Sequence, residues 1–380
     1  MRGFLLLVLG LLTAGAAQLL GRAPGIAEAI YGSWLGPAIA RWLSLLTGWV
    51  PFSVALATIL LLLTWGTLRA VAGIRTVRTG DGSWPWVLLR GAGWTSGVVG
   101  VALAAFYLSW GLNYMRPPLA DRLQLGSTPP PLESLAALAE AAVIETNAAY
   151  VALHGTPDLG VPTTGEVRVR TLSRAMRTGW ARVGPALDLE HAGRAYGPVK
   201  KRGATGYLEA FDLLGIYSPF TGEANINGAA PLWAAAGVIG HEQAHQRTVT
   251  HEGEATFAGA LAAIHAEDEL LRYGGWMRIL RATLRDLGPA DRELRSRLVP
   301  RLHVGVRRDL ADYNEWLRRN ASPAAPVARA ANDTYLRSQG VPGGRLNYTL
   351  DTWLLTAWFE ANGGTLRVGA DGPAGASSVK

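Results

Sequence analysis

A mainly α-helical fold in two parts, membrane-crossing helices followed by an α-rich domain, is predicted by three observations. Hydrophobic residues make up 49% of the 380 and charged residues only 17%, a balance typical of a membrane-attached chain. Three uncharged apolar runs, at about 3–21, 51–68 and 91–112, lie within residues 1–116; each approaches the ~20 residues a helix needs to cross a bilayer. From 117 to 362 the composition becomes that of a globular domain, within the usual size of one folding unit.

The first run follows Met1-Arg2. It reads as a signal peptide with Ala14-Gly15-Ala16 as its cleavage site, or as a first anchor helix; its length favours the anchor. Residues 22–50 are amphipathic and carry Trp34, Trp42 and Trp49, so they are expected as a loop on the outer membrane surface. Between the second and third runs stand Arg69, Arg75, Arg78 and Arg90 against Asp81. The positive-inside rule puts that loop in the cytoplasm and everything from Asn113 outside. Trp110, Tyr114 and Arg116 mark the outer interface, and Pro117-Pro118 ends the helix.

In the domain, apolar spacing predicts helices over Leu132–Leu153 and Leu172–Val183. Ile216–Phe220 and Glu223–Asn227 flank Thr221-Gly222 and read as a short β-hairpin or edge strand. Further helices are expected at about 256–273, 276–287, 290–319 and 325–338, then Tyr348–Phe359 after a turn-rich loop at Gly340–Asn347. The Gly/Ala/Ser-rich tail from Gly363 is expected to be disordered. Lys200-Lys201-Arg202 reads as a solvated or lipid-facing patch. The net charge of +7 is scattered and mostly arginine, without the basic-aromatic interleaving of a nucleic-acid surface.

The chemistry centres on His241-Glu242-Gln243-Ala244-His245, inside the apolar stretch Leu232–Gln246. On a helix, residues four apart share a face, so the two imidazoles can aim at one ion. Zn²⁺ takes neutral imidazole nitrogens, and the intervening Glu242 sits where a general base reaches a metal-activated water. The chain has no cysteine, so only imidazole and carboxylate remain as strong zinc ligands. Three candidates for a third ligand follow: His251, Glu252 and Glu254. His251 gives the spacing of the metzincin proteases, but Thr248 stands where their turn has glycine, and a β-branched residue resists left-handed angles. Glu252 opens Glu252-Gly253-Glu254-Ala255-Thr256, which resembles the Glu-x-x-Ala-Asp helix of gluzincin membrane proteases with Thr256 for the Asp; Glu252 is favoured. Glu223 and Asn225, on the hairpin, are candidate substrate contacts or simple turn chemistry. Tyr348 or Tyr335 is a candidate phenol for an oxyanion. Met277 reads as core packing, and His154, His191, His265 and His303 as structural.

The order of these features resembles an uncharacterised bacterial membrane family, filed as a domain of unknown function, up to about residue 360. The landmarks are Pro51-Phe52-Ser53, Trp110-Gly111-Leu112-Asn113-Tyr114, Pro219–Asn225, His241–Arg247, Glu252–Phe257 and Tyr335-Leu336. The chain departs from the family at Thr248, usually Gly, and Thr256, usually Asn; His251 is not a position associated with the family, which favours Glu252. The resemblance implies a zincin-like metallopeptidase. The expectation is therefore a zinc hydrolase of peptides or proteins, anchored in a bacterial cytoplasmic membrane by three spans, with its catalytic domain outside. The alternative is a non-catalytic envelope protein with a structural or vestigial zinc site.

Overall fold

The computed structural model describes residues 2–126, 128–155, 160–338 and 350–368. It is mainly helical, with one two-stranded sheet among the described residues. Helix α1 (Arg2–Leu20) lies along α5 (Trp84–Ser109). The two run parallel, because Gly3 meets Gly93 and Gly10 meets Gly100; a Cβ at Gly10 would overlap the Gly100 backbone. Small residues are what allow apolar helices to pack so closely in lipid.

Residues 22–50, expected as a surface loop, fold instead. They form α2 (Pro24–Ala27), a π-helical turn over Glu28–Leu35 and α3 (Gly36–Gly48). Pro24 and Pro37 stand in the first turns of α2 and α3, where the missing N–H costs nothing. The π turn presents Glu28 to Arg116, Oε2 to Nε 2.7 Å.

The second and third apolar runs belong to α4 (Val54–Arg78) and α5, both longer than the runs themselves. Hydropathy marks the stretch suited to hydrocarbon, whereas the helix continues through Arg69, Arg75 and Arg78. At the other end α5 stops at Ser109, and residues 111–115 form a 3₁₀ turn. Among the described residues four helices are long and apolar enough to cross a membrane: α1, α4, α5 and α7 (Leu132–His154). They differ in burial. None of α4 is buried, whereas α7 packs Leu138, Ala139, Ala142, Val143 and Tyr150 into the domain core.

The domain continues from α6 (Leu119–Arg122) through α7, α8 (Val169–Val183) and α9 (Thr205–Ala210) to strands β1 (Gly215–Ser218) and β2 (Glu223–Ile226). The strands pair antiparallel with Ile216 opposite Asn225. Next comes α10 (Leu232–Gln246), buried on every side from Trp233 to Gln246, as a helix of small and apolar residues is when it runs through a core. Around it stand α11 (Glu252–Ile264) and α12 (Glu269–Ala290). The helix expected at 256–273 ends earlier, because Asp268 caps a new one by accepting the Leu271 N–H at 3.1 Å. No break occurs at Gly274-Gly275; these glycines sit inside α12, Gly274 against Gly237 of α10 and Gly275 against Ala263 and Ile264 of α11. The stretch expected as one helix over 290–319 is two, α13 (Arg292–Leu298) and α14 (Val304–Arg319), before α15 (Ala325–Ser338) and α16 (Leu350–Ala361). The turn-rich loop at 340–347 lies outside the described residues. The tail expected to be disordered from Gly363 is placed as far as Val368: Leu366 is buried, Arg367 pairs with Glu145 at 2.7 Å and the Val368 N–H donates to His265 Nε2.

A buried ion pair helps tie the N-terminal apolar helices to the hairpin. Glu223 of β2 accepts the N–H groups of Val54 (3.0 Å) and Ala55 (2.7 Å), the first residues of α4, and pairs with Lys200. Lys200 is buried and also donates to the Thr47 and Phe52 carbonyls. It is thus a strut, not the solvated or lipid-facing charge expected from its sequence. Removing one partner of a buried ion pair strands the other charge, at about 3–5 kcal/mol. Glu223→Ala is therefore expected to lower the melting temperature of the detergent-solubilised protein by several degrees; an unchanged melting curve would show the pair to be idle.

Candidate metal centre

Helix α10 carries His241 and His245 one turn apart, and the chain then doubles back to α11, which begins at Glu252. The reversal is made by Thr248 at φ +68°. The left-handed conformation expected to be awkward for threonine is therefore adopted, at a cost of about 1–2 kcal/mol. The Thr248 hydroxyl offsets part of this by accepting from Arg116 Nη1 at 3.0 Å. Helices α10 and α11 touch through bare backbone: a Cβ on Gly240 would run into Gly259, and one on Gly259 into Gly240 and His241.

The result is a cluster of three donors. His241, His245 and Glu252 each offer an atom, and these atoms lie within 4.8 Å of one another. His241 Nε2 is 3.0 Å and His245 Nε2 3.8 Å from Glu252 Oε2. Ligands bound at about 2.0–2.1 Å to one tetrahedral ion stand roughly 3.3 Å apart, so small adjustments would seat zinc. Each imidazole is fixed from behind. His245 Nδ1 donates to the Val249 carbonyl at 2.7 Å, and His241 Nδ1 bonds the Thr256 hydroxyl at 3.0 Å. The carbonyl can only accept, so His245 Nδ1 carries a proton; in the neutral imidazole that a metal would take, the other nitrogen then turns its lone pair inward.

Electrostatics at the cluster follow from burial and from Glu252. Burial pushes His241 down to about 4, despite its hydrogen bond to Glu252. Burial also presses on His245, but the Glu252 carboxylate outweighs it and carries His245 up to about 9. Glu252 itself is raised by burial and lowered more by the two imidazoles, ending well below the usual carboxylate range. A proton held this firmly between donors occupies the place of a small cation, and the two compete. Glu242 has no such partner. Burial drives its carboxyl up to about 8, so without a cation beside it the group keeps its proton at neutral pH, and a bound cation would favour the carboxylate a general base needs; its buried Oε2 has no hydrogen bond. Gly215 of β1 lies directly over it, since a Cβ there would overlap Oε1. A buried unpaired carboxylate oxygen is costly and fits a site that receives a water or an ion.

The other candidates are placed elsewhere. His251 caps the start of α11 and faces Tyr114, ring centroids 6.1 Å apart. Glu254 is buried and accepts the Leu119 N–H at 2.6 Å. Glu223 caps α4 as described, so it is not the substrate contact expected from the hairpin. Asn225 is 1% exposed on the inner strand, with Nδ2 3.4 Å from the Glu223 carbonyl, and is likewise covered. Tyr348 lies outside the described residues; Tyr335 is on α15, remote in sequence from the motif helix. Met277 is fully buried. His154 bonds Thr163, His191 donates to the Ser33 carbonyl, and His303 accepts from Gly305.

A family model described as Protein of unknown function (DUF3810) matches residues 31–355. The chain belongs to that family. No curated protein and no solved structure matches it. The DUF3810 match runs from the π-helical turn into α16 and so contains α4, α5, the hairpin and all three donors. Within this DUF3810 domain sequence reasoning missed Arg278, whose Nη2 donates to the Thr256 hydroxyl at 3.2 Å behind His241. A lone arginine inside the apolar run Trp276–Leu280 was the available signal. Nor did it show that Trp110 and Tyr217 wall the site, with ring centroids 6.2 and 6.1 Å from His245.

Proposed function

We propose that this protein is a membrane-anchored zinc metallopeptidase that hydrolyses peptide bonds on the extracytoplasmic side of a bacterial cytoplasmic membrane. The observation that carries the reading is the convergence of His241, His245 and Glu252 on the turn that also bears Glu242, whose buried Oε2 has no hydrogen bond. His241, His245 and Glu252 would hold the ion. Zinc bound there would supply Lewis acidity and lower the pKa of a bound water towards ~7. Glu242 takes a proton from the attacking water as its oxygen bonds to the carbonyl carbon. As the C–N bond breaks, Glu242 returns that proton to the departing amine, leaving one new carboxylate and one new amino end. The arginines at Arg69, Arg75, Arg78 and Arg90 support a cytoplasmic loop between α4 and α5, which puts the domain outside.

A structural zinc site closes with four protein ligands. Among the described residues the cluster has three, which favours the catalytic reading over a structural or vestigial one. Metal analysis of the purified full-length protein should give about one zinc per chain. Stripping it with a chelator should stop cleavage of a quenched peptide library, and zinc should restore it. Protein without bound zinc, or cleavage indifferent to the chelator, would rule the proposal out.

A further inference from the structure

The donor cluster lies at the end of the fold where the apolar helices meet the domain. α1 ends at Leu20, α4 begins at Val54 and α5 ends at Ser109; α1 and α5 run parallel, and the start of α4 is held by Glu223. Immediately past α5, the Trp110 ring is 4.8 Å from Tyr217 and 6.2 Å from the ligand His245. Three residues before the end of α5, Phe106 faces Phe220 at the hairpin tip, centroids 6.4 Å apart. Phe106 stands in the last turn of α5, so the hairpin tip lies beside the end of that helix. Around it are exposed Trp49 (78%), Phe220 (50%), Phe52 (49%) and Ile216 (38%). Rings of this kind at a span end sit among lipid headgroups.

The free edge of the hairpin faces the same region. Lys200 takes the far edge of β2, its N–H donating to the Ala224 carbonyl and its carbonyl accepting from Ile226. Asn225 therefore points its backbone at Ile216, and Gly215 and Tyr217 point theirs outward. These are the two strand residues that lie over Glu242 and beside His245.

We propose that the substrate is a membrane-anchored polypeptide, cut within about five residues of its anchor, because an extended chain advances only ~3.3 Å per residue. This rests on the peptidase reading above. Trp110 marks the membrane boundary, and the 6.2 Å from its ring to His245 corresponds to about two residues of extended chain.

The test uses the full-length, zinc-loaded protein in phosphatidylethanolamine–phosphatidylglycerol liposomes. Three probes carry one quenched, sequence-randomised segment. One is free; one is joined to an apolar helix of about 20 residues by a spacer of roughly three; one has the same helix and a spacer of roughly twenty. Both anchored probes share the concentrating effect of the bilayer, so their difference reports position alone. The short-spacer probe should be cut at least about tenfold faster than either other probe. Equal rates overturn this inference and leave the peptidase reading standing. Absence of Glu242-dependent cleavage of all three overturns both. Independently of activity, a photo-crosslinking residue in place of Phe220, in the Glu242→Gln background, should label lipid acyl chains and the short-spacer probe. Failure to label acyl chains overturns the inference.

Discussion

Glu242→Gln is expected to reduce peptide hydrolysis by about 10²–10⁴-fold while leaving zinc content unchanged, the range a positioned proton-transfer group contributes. The amide has the shape of the carboxylate but cannot accept the water's proton. Two features make the variant clean. Glu242 is not among the three converging donors, so its replacement removes no ligand. Its buried Oε2 has no partner, so no protein hydrogen bond to that oxygen is lost, and the melting temperature should not fall. Metal analysis, thermal unfolding and cleavage rates on one preparation check all three points. A variant that keeps full activity would remove Glu242 from the chemistry.

The second large effect separates the three carboxylate and imidazole candidates that follow the motif. Glu252→Ala is expected to weaken zinc binding by more than about 100-fold, beyond what loss of an outer-shell partner costs, since it removes one of three donors. Glu254→Ala should leave zinc affinity intact and instead destabilise the fold by about 1–3 kcal/mol, because the Leu119 N–H loses its buried acceptor. His251→Ala should change neither much, as its ring meets Tyr114 and no donor of the cluster. Competition with a chromophoric chelator, read beside thermal unfolding, distinguishes these outcomes. Zinc lost from Glu254→Ala or His251→Ala but kept by Glu252→Ala would reassign the site.

How much of this was legible in the sequence depended on the range of the interactions. The His241–His245 spacing is local, so the shared helix face could be read directly, and Glu252 stood close enough to the turn to be favoured. The hairpin was legible from Thr221-Gly222 between two β-rich stretches. What escaped depends on distant partners. Glu223 looked like a strand residue near the site, and only the fold shows it holding the start of α4, more than 160 residues earlier. Lys200 lay in a basic triplet and was read as exposed, because nothing nearby in sequence could neutralise it. Thr248 was judged unsuited to a left-handed turn from its own shape, without Arg116 to bond its hydroxyl. The long apolar helices α1, α4 and α5 were located by hydropathy but their ends were not, since charged residues continue a helix as readily as apolar ones.

The backbone contact between Gly240 and Gly259 has a consequence for how the protein matures. It lies next to His241 and fixes the spacing of the two helices that carry His241, His245 and Glu252, with no side chain between them at that point. That spacing is set by interior packing, far from any ion. The chain is therefore expected to reach its folded shape, with His241, His245 and Glu252 brought together, before it meets any ion.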